Sequence, residues 1–168
     1  FIVGAGHSGT TILYRMLALH PDLAWFSQYS CRGGEIPNRS RWPFYQYLNR
    51  ALRLFFAHSW LKEESKFKII PFPKDVERIW DYIFSTDEDE AVSRMRKVME
   101  AECGNWRKNF IIAKNIRFHF HLPLLKKAWP EAKFIHIMRD GRAIVLSHGK
   151  SLEKAKDWTG VIKRIDRE

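Results

Sequence analysis

The chain is predicted to fold as an α/β domain in which a parallel sheet carries helices on both faces, and three observations predict it. Short apolar runs with β character occupy residues 1–3, 110–113 and 134–138. Stretches with helical spacing separate them. Each run stops at a residue suited to holding an anion: Gly4, Lys114 and Arg139. Strands separated by helices join as parallel neighbours, and ligands of such sheets gather at the carboxyl ends of the strands.

The first run breaks at Gly4, and Ser8 stands where it can cap a helix whose Leu13, Met16, Leu17 and His20 fall at helical spacing before Pro21. Residues 24–42, with Gly33, Gly34 and Pro37, read as loop. A long amphipathic helix follows, with Phe44, Leu48, Leu52 and Phe55 on one stripe and Arg50 and Arg53 elsewhere. Residues 75–84 form a short helix, and Ser85 with Glu88 has the spacing of a capping box that opens a second one carrying Val92, Met95, Val98 and Met99. Between the last two strands, residues 122–129 form a helix stopped by Pro130, and residues 142–148 resume helical spacing after Arg139.

The chain has 168 residues and a formal charge of +10, from 29 Lys and Arg against 19 Asp and Glu. That balance favours an anionic partner: a nucleotide, a nucleic acid, a sulfated polymer or an acidic membrane surface. Cys31 and Cys103 make neither a metal pattern nor a disulfide framework. No apolar run approaches the roughly 18 residues of a membrane span. Phe1 opens directly into a strand and the last residues stop in a polar, helix-like run, so residues 1–168 read as a single domain incomplete at both ends. The compartment stays open, with the cytoplasm slightly favoured.

Between the first strand and helix, Gly4-Ala5-Gly6-His7-Ser8-Gly9-Thr10-Thr11 has the layout of an anion cradle. Small residues let backbone N–H groups converge, and the helix dipole favours negative charge. A bland alternative is a tight turn whose glycines serve geometry alone. Glycines at 4, 6 and 9 match the dinucleotide fingerprint, which also calls for a second strand ending in an acid about 20 residues on; neither strand nor acid is evident after His20-Pro21-Asp22. Counted as a triphosphate loop, the segment has Thr10 where that loop has its lysine. A smaller anion suits it better.

His7-Ser8-Gly9-Thr10-Thr11, with the helix and His20-Pro21-Asp22 behind it, resembles the 5′-phosphosulfate loop of the sulfotransferases. The stretch from Phe134 through Arg139 to Ser147 resembles that family's 3′-phosphate motif, a strand ending in Arg with a Ser further along the next helix. A guanidinium forks a phosphate bidentately and a hydroxyl can share the same anion. The resemblance implies a P-loop-like, three-layer fold and transfer of a sulfonate from 3′-phosphoadenosine 5′-phosphosulfate to a hydroxyl acceptor, whether carbohydrate, protein tyrosine or small molecule. It implies donor binding by His7, Ser8, Gly9, Thr10, Thr11, Arg139 and Ser147, and catalysis by Glu35 as base with Lys114 and His7 stabilising developing charge. His7 departs from the family's usual Lys or Arg, and a neutral imidazole donates one hydrogen bond and carries no charge. His119, His121 and His136 are alternative bases, and no metal is implied.

Two further readings compete. One is a flavin- or nicotinamide-binding enzyme. The other is a nucleic-acid or polyanion module built on Arg39, Arg41, Trp42, Tyr45, Tyr47, Arg50 and Arg53, where basic and aromatic residues interleave. Those aromatics share an amphipathic stripe and suit a core better.

Overall fold

The computed structural model describes residues 1–27, 30 and 72–155, with side chains through residue 149. In chain order it contains β1 (Ile2–Gly4), α1 (Thr10–Leu17), β2 (Leu23–Trp25), α2 (Glu77–Phe84), α3 (Glu88–Trp106), β3 (Phe110–Ile112), a 3-10 helix (Ile116–Phe120), α4 (Leu122–Ala128), β4 (Ile135–Ile137) and α5 (Gly141–Ala155). The predicted helix over residues 44–55, the basic and aromatic residues around it, Cys31 and Glu35 lie outside the described residues.

Both strand pairs are parallel. Gly4 of β1 stands opposite Ile137 of β4, and Trp25 of β2 opposite Ile112 of β3. A parallel bridge between Ile2 and Lys114, with the Ile2 N–H donating to the Ala113 carbonyl at 2.9 Å, sets the end of β3 beside β1. The strands therefore run in the order β2, β3, β1, β4, and the predicted α/β class with parallel pairing is what the chain adopts.

Alternation along the strands feeds two cores, because successive side chains of a strand point to opposite faces. Ile2, Trp25 and Ile112 enter a cluster with Tyr14, Ala18 and Trp106. Their neighbours Val3, Phe26 and Ala113 enter another with α2, α3, Phe118 and α4. In the second cluster Trp80 is fully buried and meets Phe26 and Phe118 edge to face at 5.6 and 4.9 Å. Edge-to-face pairing suits the ring quadrupoles and adds to the gain from area burial. Tyr14 ties α1 to β2: its hydroxyl donates to the Phe26 carbonyl at 3.1 Å and accepts from the Phe26 N–H at 2.8 Å.

Three local expectations fail. A strand does follow α1: Leu23, Ala24 and Trp25 pair with β3, although none is β-branched and the run is three residues long. Its partner and the burial of Ala24 and Trp25 make it a strand, which local propensity does not reveal. Ser8 does not cap α1; Gly9, at φ 103°, holds the N-cap position. Ser85 ends α2 instead of opening α3, its hydroxyl donating to the Tyr82 carbonyl at 2.7 Å, and Asp87 caps α3 by accepting from the Glu90 N–H at 3.0 Å. Asp is among the favoured caps, and the three acids in the first turn of α3 suit the helix dipole.

Candidate functional site

The loop between β1 and α1 is shaped by close backbone approach. Gly4 has φ 155°, and a Cβ there would stand 2.7 Å from the Ile137 carbonyl oxygen, 3.1 Å from the Ser8 Oγ and 3.1 Å from the Thr10 Cγ2. Only glycine fits. The Ser8 N–H closes a turn onto the Ala5 carbonyl at 3.2 Å, and His7 and Gly9 both take left-handed conformations, φ 59° and 103°. A left-handed residue without glycine's freedom is strained, and such strain gathers at binding sites. Ser8 is 7% exposed, and its Oγ is buried without a hydrogen-bond partner. A buried hydroxyl of this kind costs free energy unless something else completes its bonding. Thr10 is buried, and Thr11 stands half-buried in the first turn of α1.

Three of the predicted residues meet through His7. Its carbonyl accepts from Arg139 Nη1 at 2.8 Å, and its Nδ1 lies 3.3 Å from the Ser147 Oγ. The β4 end and α5 thus converge on the loop, as parallel pairing of β1 with β4 requires. Arg139 is exposed, and its neighbour Asp140 is taken by Arg142 (Nη2 to Oδ2, 2.7 Å), which also holds the Asp140 carboxyl below its usual range. No carboxylate among the described residues pairs with Arg139.

His148, which sequence reasoning did not single out, packs its ring on His7 with centroids 3.8 Å apart. Its Nε2 lies 3.9 Å from where a Cβ on Gly6 would stand. Two histidines 141 residues apart share no local signal, so only the fold reveals their contact.

Lys114 takes a different setting. Level with Ile2 through the bridge, it lies two residues below the mouth at Gly4. It is 8% exposed, with Nζ 2.8 Å from the Asp75 Oδ2, and Asn115 Nδ2 donates to the other Asp75 oxygen at 3.2 Å. Burial pushes the Asp75 carboxyl up, while Lys114 pulls it part of the way back. Asp75 was also missed: it stands just before α2 with no pattern linking it to a lysine 39 residues on.

The alternative bases are engaged elsewhere. His121 lies flat on Phe84, ring centroids 3.8 Å apart, and desolvation lowers its pKa; His119 packs on Phe120; His136 is on β4 and exposed. Glu102 is fully buried on α3, and desolvation raises its pKa to about 7, with Ser30, Asn105 and Trp106 offsetting part of the effect.

A family model described as the sulfotransferase family matches residues 1–168. The chain belongs to the sulfotransferase family. The resemblance carried by residues 7–11 and 134–147 is thereby borne out at the level of the family. No curated protein matches this sulfotransferase-family chain directly. Among solved structures it is similar to the crystal structure of sulfotransferase STF1 from Mycobacterium tuberculosis H37Rv, with 19% identity and a TM-score of 0.51 over 83% of this chain and 44% of that one. The likeness is one of fold, and the chain spans less than half the length of the structure it matches. No described helix is long and apolar enough to cross a membrane.

Proposed function

We propose that the protein is a sulfotransferase that takes its sulfonate from 3′-phosphoadenosine 5′-phosphosulfate and gives it to a hydroxyl acceptor. The observation that carries the reading is the convergence of Arg139 and Ser147 on His7 of a glycine loop whose buried Ser8 hydroxyl lacks a partner. These residues fit such a donor. The orphaned Ser8 Oγ and the α1 N-terminus suit the 5′-phosphosulfate, and Arg139 with Ser147 suits the 3′-phosphate.

When bound, the donor supplies a sulfonate on a phosphate leaving group. The chain's part is to hold the phosphates, orient the acceptor oxygen for in-line attack and manage one proton and one developing charge. Loop N–H groups, the Ser8 hydroxyl and His7 stabilise charge on the bridging oxygen as its bond to sulfur breaks. Lys114 stands one strand away and contributes positive charge once its contact with Asp75 is shared. The acceptor proton goes to a carboxylate, for which Glu35 is the candidate.

The strand order β2, β3, β1, β4 supports a P-loop-like, three-layer fold over the dinucleotide alternative. In the dinucleotide fold the strand after the first helix lies beside the first strand. Here β1 has β4 on one side and residues 113–114 on the other, and β2 pairs with β3. Thermal denaturation with 3′,5′-bisphosphoadenosine, AMP, ATP and FAD side by side tests the reading. The bisphosphate should raise the Tm most, and a larger shift with FAD or ATP would sink the proposal.

A further inference from the structure

Lys114 at the end of β3 has a built support. Ile112 enters the cluster with Tyr14 of α1, as does Ile2, with which Lys114 is level, while Ala113 enters the other cluster. Alternation therefore returns the Lys114 side chain to the face that α1 covers, and α1 is the helix that opens at the cradle. Asp75 meets Lys114 there from an anchored backbone. The Lys74 N–H donates to the Phe26 carbonyl at 3.0 Å and Ser27 bridges Pro73, so the approach to Asp75 is tied to the end of β2. The Tyr14 hydroxyl ties that same Phe26 to α1.

On its other side the carboxylate is braced by the buried Asn115. Asn115 Nδ2 donates to Asp75 Oδ1 at 3.2 Å, and its Oδ1 accepts from the Arg117 N–H at 2.7 Å, capping the 3-10 helix. One end of the amide is fixed by backbone, and the other fixes Asp75. Resting on the donor reading above, we propose that Asp75 and Asn115 are positioning residues, which hold the Lys114 ammonium where it meets the sulfonate of the donor.

A lysine ammonium is a point charge with three donors on a flexible stem, so its position must be imposed from outside. Asp75 takes one donor, at 2.8 Å, and thereby sets the direction of the others, and a sulfonate oxygen can accept one of these without breaking the pair. Donors fixed in advance stabilise developing charge with little reorganisation during the reaction. Stability alone does not call for such a pair, since apolar residues of similar volume often serve a buried site as well.

The test compares, in the full-length protein without acceptor, the dissociation constants of 3′-phosphoadenosine 5′-phosphosulfate and 3′,5′-bisphosphoadenosine, which differ by the sulfonate. Preference for the sulfonated ligand should drop about 10-fold in Lys114→Met, as for loss of a charge-assisted bond. Asp75→Asn should lose a similar factor. The double variant should lose no more than either alone, because a positioning residue acts through the lysine it holds. Asn115→Ser keeps a capping oxygen for the Arg117 N–H and leaves the ion pair in place, and should lose about 3-fold; it decides the matter where Asp75→Asn does not fold. Loosened packing alone would weaken both ligands alike and leave their ratio unmoved. An unchanged ratio in Lys114→Met, Asp75→Asn or Asn115→Ser, or losses that add in the double variant, overturns the inference and leaves the donor reading intact. Failure of the wild type to bind either ligand overturns the donor reading itself, and this inference with it.

Discussion

The end of β4 and the end of β3 both present a cation at the carboxyl edge of a parallel sheet, yet they differ in what that cation is doing. Arg139 is exposed and touches a loop carbonyl, with its charge uncompensated among the described residues. Lys114 is buried and already neutralised by Asp75, which Asn115 holds from its other side. A cation left in solvent near a cradle of N–H groups is available to a ligand. One paired in the interior is part of the protein's own stability until a ligand competes for it. On the proposed reading the two strand ends divide into an exposed cation open to a ligand and a buried one held by its own carboxylate.

Breaking the buried pair should give the largest effect. Asp75→Ala strands the Lys114 ammonium and is expected to destabilise the fold by about 3–5 kcal/mol in denaturant melts, since an uncompensated buried charge is costly. Lys114→Met in the same background should recover most of that loss, and a double-mutant cycle without coupling would dissolve the distinction between the two ends.

A second probe of how poorly the interior tolerates charge is Glu102. Its folded pKa near 7 exceeds that of an ordinary glutamate, so the folded state holds the proton more tightly. Its contribution is fully present below about pH 4.5 and is lost as pH rises through about 7, a change of up to about 3 kcal/mol. Glu102→Gln should remove that slope from a plot of stability against pH; an unchanged slope would assign it to other groups.

At the open end the expected effects fall on binding. Arg139→Ala should raise the dissociation constant of 3′,5′-bisphosphoadenosine about 30-fold with little change in Tm, in keeping with a charge-assisted bond to a ligand. Unchanged affinity would remove the main support for the donor site. Ser147→Ala should have the smallest effect, about 5-fold, because a single neutral hydroxyl is lost.

The same two regions show what was legible in the sequence. At the open end the residues follow one another along strand, loop and helix, so Gly4, His7, Arg139 and Ser147 are readable from local order, and the meeting of Arg139 and Ser147 with His7 is in keeping with the pairing of β1 with β4. The closed end depends on contact between segments with no local signature, and Asp75 was missed there as His148 was at the loop. β2 was missed because its identity as a strand comes from its neighbour and its burial. The helix caps were misplaced by two positions at α3 and by one at α1, since several residues in each stretch have capping side chains and the chain's entry angle chooses among them. Glu35 lies outside the described residues.

The hydrogen bond from Arg139 to the His7 carbonyl couples two parts of the cradle that a designer would want to treat separately. On the proposed donor reading, a donor that lacks the 3′-phosphate would leave that guanidinium with the loop as its remaining partner. Removing it would take away the strut that sets the height of His7. If the proposed site holds, donor exchange in this scaffold calls for a neutral replacement that keeps an N–H at the same reach, so that a change at the Arg139 end leaves the His7 loop in place.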